Sequence, residues 1–256
     1  MRINKYLASL GVASRRKIDE MVEEGLIRVN GKIPKLGDQI EPAKSKIEIN
    51  GQEIKSNEKL AYIILNKPAG YTSTAAKIKG EKSVLELVFP KGHPELDSGS
   101  RFRNKFGMTM AGIPRLYPVG RLDKDSTGLI LLTNDGELTQ KITHPKFHIP
   151  KTYEVLLLGN VSDTQLEMMR KGIKLEDGVT KPADVVVIKK NPPNNTLIQM
   201  TLYEGKKRQI RRMTAALHLH IIDLKRTSIG PIKLGNIPLG KYRTLSLEEI
   251  SNLKKV

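Results

Sequence analysis

The apolar positions of the chain follow two regimes. Over residues 1–57 they come in short pieces. Ile3, Leu7 and Leu10 recur at helical spacing and predict a first helix, with Gly11 placed to end it. Ser14 is a suitable N-cap for a second helix, whose apolar face is Ile18, Met21 and Val22. Residues 26–33 then set Asn30-Gly31 between β-favouring residues. Asn50-Gly51 repeats the signal between Ile47-Glu48-Ile49 and Glu53-Ile54. Asn-Gly supplies the left-handed backbone of a two-residue turn, so each pair predicts a tight hairpin. Residues 55–59 are polar and read as a linker, which divides the chain into 1–57 and 58–256.

The second regime has longer elements. Residues 60–65 are continuously apolar, as in a strand buried on both faces, and Asn66-Lys67-Pro68-Ala69-Gly70-Tyr71 reads as a turn. Further strands are expected at 129–133, 153–158, 183–188 and 197–203. Helices are expected at 137–143, 162–171 and 210–217. The order lacks a regular βαβ rhythm, so the expected class is α+β with a mixed, mostly antiparallel sheet. Residues 93–113 show neither period and read as a surface insertion; Arg101, Arg103 and Lys105 leave open an RNA-contacting loop.

Charge changes the picture. Lys and Arg number 44 against 27 Asp and Glu, a formal net charge of +17. Such an excess suits a polyanionic partner, because each cation gains by releasing counterions from phosphates. Part of it falls on the first turn of the second helix, as Arg15, Arg16 and Lys17. Cations there oppose the helix dipole, whereas the exposed amides beside them suit a phosphate. The other reading is three solvated charges offset by Asp19, Glu20, Glu23 and Glu24. The chain has no cysteine, which excludes disulfides, thiolate metal sites and a cysteine nucleophile. The five histidines are not spaced as a metal site. Neither a membrane-spanning run nor a signal-peptide pattern is present, so the cytoplasm is the expected compartment.

Chemistry concentrates in residues 118–129, PVGRLDKDSTGL, where two carboxylates precede an apolar strand. Two readings fit the residues. Asp123 and Asp125 hold a turn through their side chains, or Asp123 is a nucleophile or general base presented beside a rigid strand.

The segment resembles the G-R-L-D-x-x-[ST]-x-G-L signature of the pseudouridine synthases, in the branch containing RsuA, RluB, RluE and RluF. Asn66-Lys67-Pro68-Ala69-Gly70 is similar to the family's N-K-P-x-G, and Lys151-Thr152-Tyr153 to its K-x-Y. Residues 204–213, EGKKRQIRRM, are similar to its G-x-x-R-Q-[IV]-R-R-[ML]. Leu224-Lys225-Arg226 resembles its L-x-R, and residues 239–245 its L-G-x-x-R-x-L. The first 57 residues resemble an S4 RNA-binding domain.

The resemblance implies an S4-like αα-β module followed by an α+β catalytic domain that isomerises uridine in RNA without cofactor or metal. By that resemblance Asp123 is the catalytic carboxylate, acting at C1′ as nucleophile or at C2′ as base. Arg211 is its ion-pair partner, with phosphate binding as its other reading. Tyr153 stacks on the uracil and can take the C5 proton, with an aromatic core residue as its other reading, and Leu224 packs beneath the base, where the residue pattern alone reads it as core. Arg121, Lys206, Lys207 and Arg208 are expected to hold neighbouring phosphates of a flipped-out uridine, and Arg15, Arg16, Lys17 and Lys32 to add affinity from the S4-like module.

The implied partner is ribosomal RNA or a precursor particle, bound by a monomer. Residues 132–136 and 174–178 look most like RluB-type enzymes of 23S rRNA, with an RsuA-like 16S target as the alternative. A non-catalytic rRNA-binding assembly factor is a competing class, opposed by the intact Asp123, Tyr153 and Arg211. An S4-linked methyltransferase is another, opposed by the missing glycine-rich nucleotide loop.

Overall fold

The computed structural model describes residues 1–10, 12–42, 44–54, 60–74, 79–89, 116–191 and 194–256. Gly11, the linker at 55–59 and the insertion expected at 93–113 lie outside the described residues. The described chain gathers into two compact units. One takes its residues from Met1–Ala61 with Phe89, Leu116, Tyr117 and Thr133–Gly136; the other takes them from Tyr62–Val88, Pro118–Leu132 and Glu137–Val256.

In the first unit, α1 (Ile3–Ser9) and α2 (Arg15–Glu23) precede an antiparallel sheet of β1 (Ile27–Val29), β2 (Ile47–Ile49) and β3 (Gln52–Glu53). The Ser14 hydroxyl accepts the Lys17 amide at 3.2 Å, satisfying a donor that the first helical turn leaves free. Asn30 and Asn50 have φ of 49° and 50°, and Gly31 and Gly51 follow at 81° and 75°. Both Asn-Gly pairs therefore take up the left-handed turn their residue types favour. Ile3, Leu7, Ile18, Val22, Ile27, Ile40, Ile47 and Ile49 close the core. Each such side chain stabilises by roughly 1.5–3 kcal/mol when fully buried.

The second unit is built on a nine-stranded sheet. Its strands and the two-stranded pairs around it are, in chain order, β4 (Tyr62–Lys67), β5 (Tyr71–Thr72), β6 (Lys82–Ser83), β7 (Tyr117–Pro118), β8 (Thr127–Thr133), β9 (Lys151–Leu158), β10 (Lys174–Leu175), β11 (Gly178–Val179), β12 (Asp184–Asn191), β13 (Asn195–Leu202), β14 (Ile221–Ile229), β15 (Ile232–Lys233) and β16 (Tyr242–Thr244). The helices are α3 (Leu85–Val88), α4 (Gly136–Thr143), α5 (Asp163–Lys171), α6 (Gln209–Ala216) and α7 (Leu247–Lys255). The main strand order is β12-β13-β9-β14-β8-β4-β16. Pairings β12–β13, β13–β9, β9–β14 and β16–β4 are antiparallel, and β14–β8 is parallel. The α+β class and the mixed, mostly antiparallel sheet are as expected.

Three departures from the expected pattern have a physical reason in the residues. The first strand runs on through Asn66 and Lys67, which were expected in a turn. Lys67 is fully buried, and its ammonium finds carbonyl partners, so a charged residue continues the strand. Strand β14 was not expected, because its buried Arg226 breaks the apolar alternation. Helix α7 was also missed, although Ser246 and Glu249 form a capping box that its sequence advertises.

Two apolar clusters fill the second unit. One packs Val155, Leu157, Leu166, Met169, Ile198, Met200, Ile210 and Met213. The other packs Tyr62, Ile64, Leu129, Leu131, Leu138, Ile142, Ile229 and Leu253. Among the described residues no helix is long and apolar enough to cross a membrane.

Candidate active site

The two clusters share a border at a cavity of about 510 Å³, lined by Ile142 and Ile229 from one and by Ile210 and Leu224 from the other. The segment leading into β8 reaches it. Ser126 donates its amide to the Asp123 carbonyl at 3.1 Å, closing a turn that projects the Asp123 carboxylate. This side chain is 33% exposed and lines the cavity.

Buried side chains from three strands or strand ends hold that turn. Lys67, at the end of β4, donates to the carbonyls of Pro68, Lys124 and Ser126 at 3.0, 3.2 and 2.7 Å. Burial pulls this lysine down to about 8. Ser73, just after β5, donates to the Leu122 carbonyl at 2.9 Å and accepts the Leu122 amide at 3.2 Å. Arg226, on β14, donates Nε to the Leu129 carbonyl at 2.7 Å and Nη1 to the Arg121 carbonyl at 3.2 Å. Gly128 has φ of 103°, and a Cβ there would lie 2.3 Å from the Arg226 carbonyl oxygen. Glycine is required for β8 and β14 to approach so closely.

Helix α6 brings two guanidiniums from the opposite side. Arg208 caps it in a left-handed conformation, and Arg211 follows three residues later on the same face. Arg208 Nη1 lies 3.7 Å from Asp123 Oδ2 and 3.5 Å from Asp125 Oδ1. Arg211 Nε lies 3.9 Å from Asp123 Oδ2, while its Nη2 lies 3.2 Å from Asp125 Oδ2 and donates to Ser126 Oγ at 3.2 Å. Arg211, expected as the partner of Asp123, thus binds Asp125 more closely and shares Asp123 with Arg208.

Tyr153 on β9 and Leu224 on β14 complete the wall, and Tyr153 stands opposite Arg226 in the strand register. Arg121, Lys206, Lys207 and Arg208 line the same cavity. Their states differ. Lys207 is exposed. Lys206 donates its ammonium to the carbonyls of Asp177, Gly178 and Val179 at 3.2–3.3 Å. It is therefore anchored to the β10–β11 hairpin. Arg212 grips the Asp177 carboxylate with two bonds of 2.8 and 3.0 Å, which holds that acid below its usual range. In the other unit, Arg15, Arg16 and Lys32 are exposed. Lys17 is paired with Glu20 at 2.8 Å and Glu24 at 3.8 Å.

The cavity thus collects Asp123, Tyr153, Arg211, Leu224 and the four local cations. Sequence reasoning assigned no role to Lys67, Ser73, Lys151 or Arg226, although three of them stand inside the motifs quoted above. Among the described residues no three His, Asp or Glu gather as a metal site.

Residues 61–216 match the family described as RNA pseudouridylate synthase, and residues 1–45 match the S4 domain. The chain belongs to the RNA pseudouridine synthases. It is an isomerase acting on RNA, with an S4 domain ahead of its synthase fold. The ribosomal large subunit pseudouridine synthase B of Bacillus subtilis is 37% identical to this pseudouridine synthase, over 99% of this chain and 95% of that protein. An RNA pseudouridine synthase of Aquifex aeolicus is 39% identical, over 100% and 94%. A crystal structure of a pseudouridylate synthase superposes with a TM-score of 0.65 at 30% identity, over 99% of both chains.

Proposed function

We propose that this pseudouridine synthase isomerises a specific uridine of large-subunit ribosomal RNA, with Asp123 as its catalytic carboxylate. The observation that carries the chemistry is the convergence of Asp123, Tyr153, Leu224 and two arginines on one cavity. The volume of about 510 Å³ suits a single nucleotide lifted out of its stack. The choice of RNA is supported by the near full-length likeness to the Bacillus subtilis large-subunit enzyme.

In this reading Asp123 acts on the ribose, at C1′ or at C2′, and the N1–C1′ bond breaks. Arg208 and Arg211 fix the direction of its carboxylate. Tyr153 stacks on the uracil while the ring turns, and Leu224 supports the ring from below; C5 then bonds to C1′ as the Asp123 ester is released or, on the other route, as Asp123 returns the proton to C2′. The C5 proton then leaves, taken up by Tyr153, and N1 gains one. Arg121, Lys207 and Arg208 face the flanking phosphates, and Lys206 holds the cavity rim. Arg15, Arg16 and Lys32 extend the RNA contact from the S4 domain. The enzyme works as a monomer in the cytoplasm and needs no cofactor.

The test is tritium release from transcripts carrying 5-tritiated uridine. Release from the large-subunit transcript, with none from the small-subunit transcript, is the expected result. The reverse pattern would overturn the assignment of substrate.

A further inference from the structure

Arg226 is 2% exposed, yet no carboxylate pairs with it among the described residues. Two of its nitrogens bind backbone carbonyls, and Nη2, also buried, has no partner among the described residues. Lys151 lies close enough to feel its charge. The Lys151 ammonium donates to the carbonyls of Ile149 and Ile142 at 2.9 and 3.4 Å. Burial first, and then the charge of Arg226, bring Lys151 down to about 8. Both residues line the cavity that holds Asp123.

This arrangement is costly for folding. A buried charge is normally neutralised by an opposite charge, and two neighbouring cations repel. A local violation of that rule points to a use that folding alone does not explain. The placement suggests the use. Arg226 stands opposite Tyr153 across the β9–β14 pair, and it binds the carbonyl two residues before Asp123. Its fixed charge therefore sits between the side chain that stacks on the base and the turn that attacks the sugar.

We infer that Arg226, backed by Lys151, stabilises the uracil anion formed when the glycosidic bond breaks. The inference rests on the reading of this cavity as the uridine site. When the N1–C1′ bond breaks, its electron pair passes to N1 and spreads onto O2 and O4. This holds whether Asp123 attacks C1′ or removes a proton from C2′. The anion exists until C5 bonds to C1′, and the proton on C5 is then lost as N1 gains one. Fixed positive charge in a desolvated site favours the charged intermediate without reorganisation at the moment of reaction. Arginine suits the task because its guanidinium keeps its charge where a lysine loses it.

The experiment compares single-turnover rates on matched RNAs that carry either uridine or 5-fluorouridine at the target position. Fluorine at C5 makes the uracil anion a better leaving group, so a fluorinated substrate needs less help from the protein. Arg226→Met is expected to lower the rate about 100-fold on uridine RNA and about 10-fold on 5-fluorouridine RNA, with little change in KM. Arg226→Lys is expected to recover rate only as the pH is lowered, because a lysine buried there keeps its charge only when the solution is acid enough to protonate it. Lys151→Met is expected to show the same fluorine-dependent pattern with a smaller loss. It carries the test alone if Arg226→Met does not fold. Equal losses on the two RNAs would overturn the inference and leave Arg226 and Lys151 as props of the turn. Asp123→Ala on uridine RNA checks the underlying reading separately: retained turnover there would remove the cavity as the uridine site, whatever the arginine variants do.

Discussion

Lys67 shows how a side chain far from the expected chemistry can decide where that chemistry stands. Its ammonium gathers three carbonyls, two of them in the turn of Asp123. Lys67→Met removes a desolvated charge but takes a donor from each of those carbonyls, of which that of Lys124 keeps the Gly70 amide, and lost partners of buried groups dominate such exchanges. We expect a loss of about 1–3 kcal/mol in denaturant unfolding, with a fall in turnover as the turn loosens. The pH dependence has a definite sign. Lys67 sits at about 8 in the folded chain against 10.5 ordinarily. Between those values the unfolded chain binds more protons, so this group makes stability rise with pH across that window. Lys67→Met should flatten that rise. Gly128 is a steric counterpart: Gly128→Ala puts a methyl group 2.3 Å from a backbone oxygen. A loss of at least about 2 kcal/mol in thermal or denaturant unfolding is expected. Asp123 and Tyr153 were legible in the sequence through their motifs. Ser73 was not, because a serine that bonds to a backbone 49 residues away leaves no local pattern.

At the scale of elements, what could be read depended on whether the signal was local. The Asn-Gly hairpins and the Ser14 cap are decided by residues within a turn, and the backbone follows them. Strand β14 depends on a buried arginine whose partners come from the neighbouring strand β8 and the segment before it, about 100 residues away in the sequence. No sequence period reveals that. Helix α7 had a readable start, and an ion pair secures it. Arg243 binds Glu249 through two bonds of 2.7 Å. Those bonds, with help from Ser246 at the N-cap, bring Glu249 down to about 2 from 4.5. The stabilisation is thus complete above about pH 4.5 and is lost as pH falls through about 2. Arg243 is 41% exposed, so solvent screens the pair and its worth is about 1 kcal/mol or less. Glu249→Gln should remove that part of the acid sensitivity, seen as a smaller difference between unfolding midpoints at neutral and acid pH.

At the scale of the whole molecule, a net charge of +17 makes RNA affinity strongly dependent on salt. Exposure and pairing separate the cations of the first unit. Arg15 and Arg16 are exposed, whereas Lys17 is already paired with Glu20 and Glu24. Replacing both arginines with alanine should reduce the slope of log affinity against log salt by about 1.4–1.8. Lys17→Ala should change it less, and a salt titration of RNA binding separates the two. Asp123 as the catalytic carboxylate is tested by tritium release from 5-tritiated large-subunit RNA, with Asp123→Asn measured beside the unaltered enzyme. The substitution keeps the shape of the side chain and removes its charge. We predict that release disappears while RNA binding persists. Release at the unaltered rate would contradict the account.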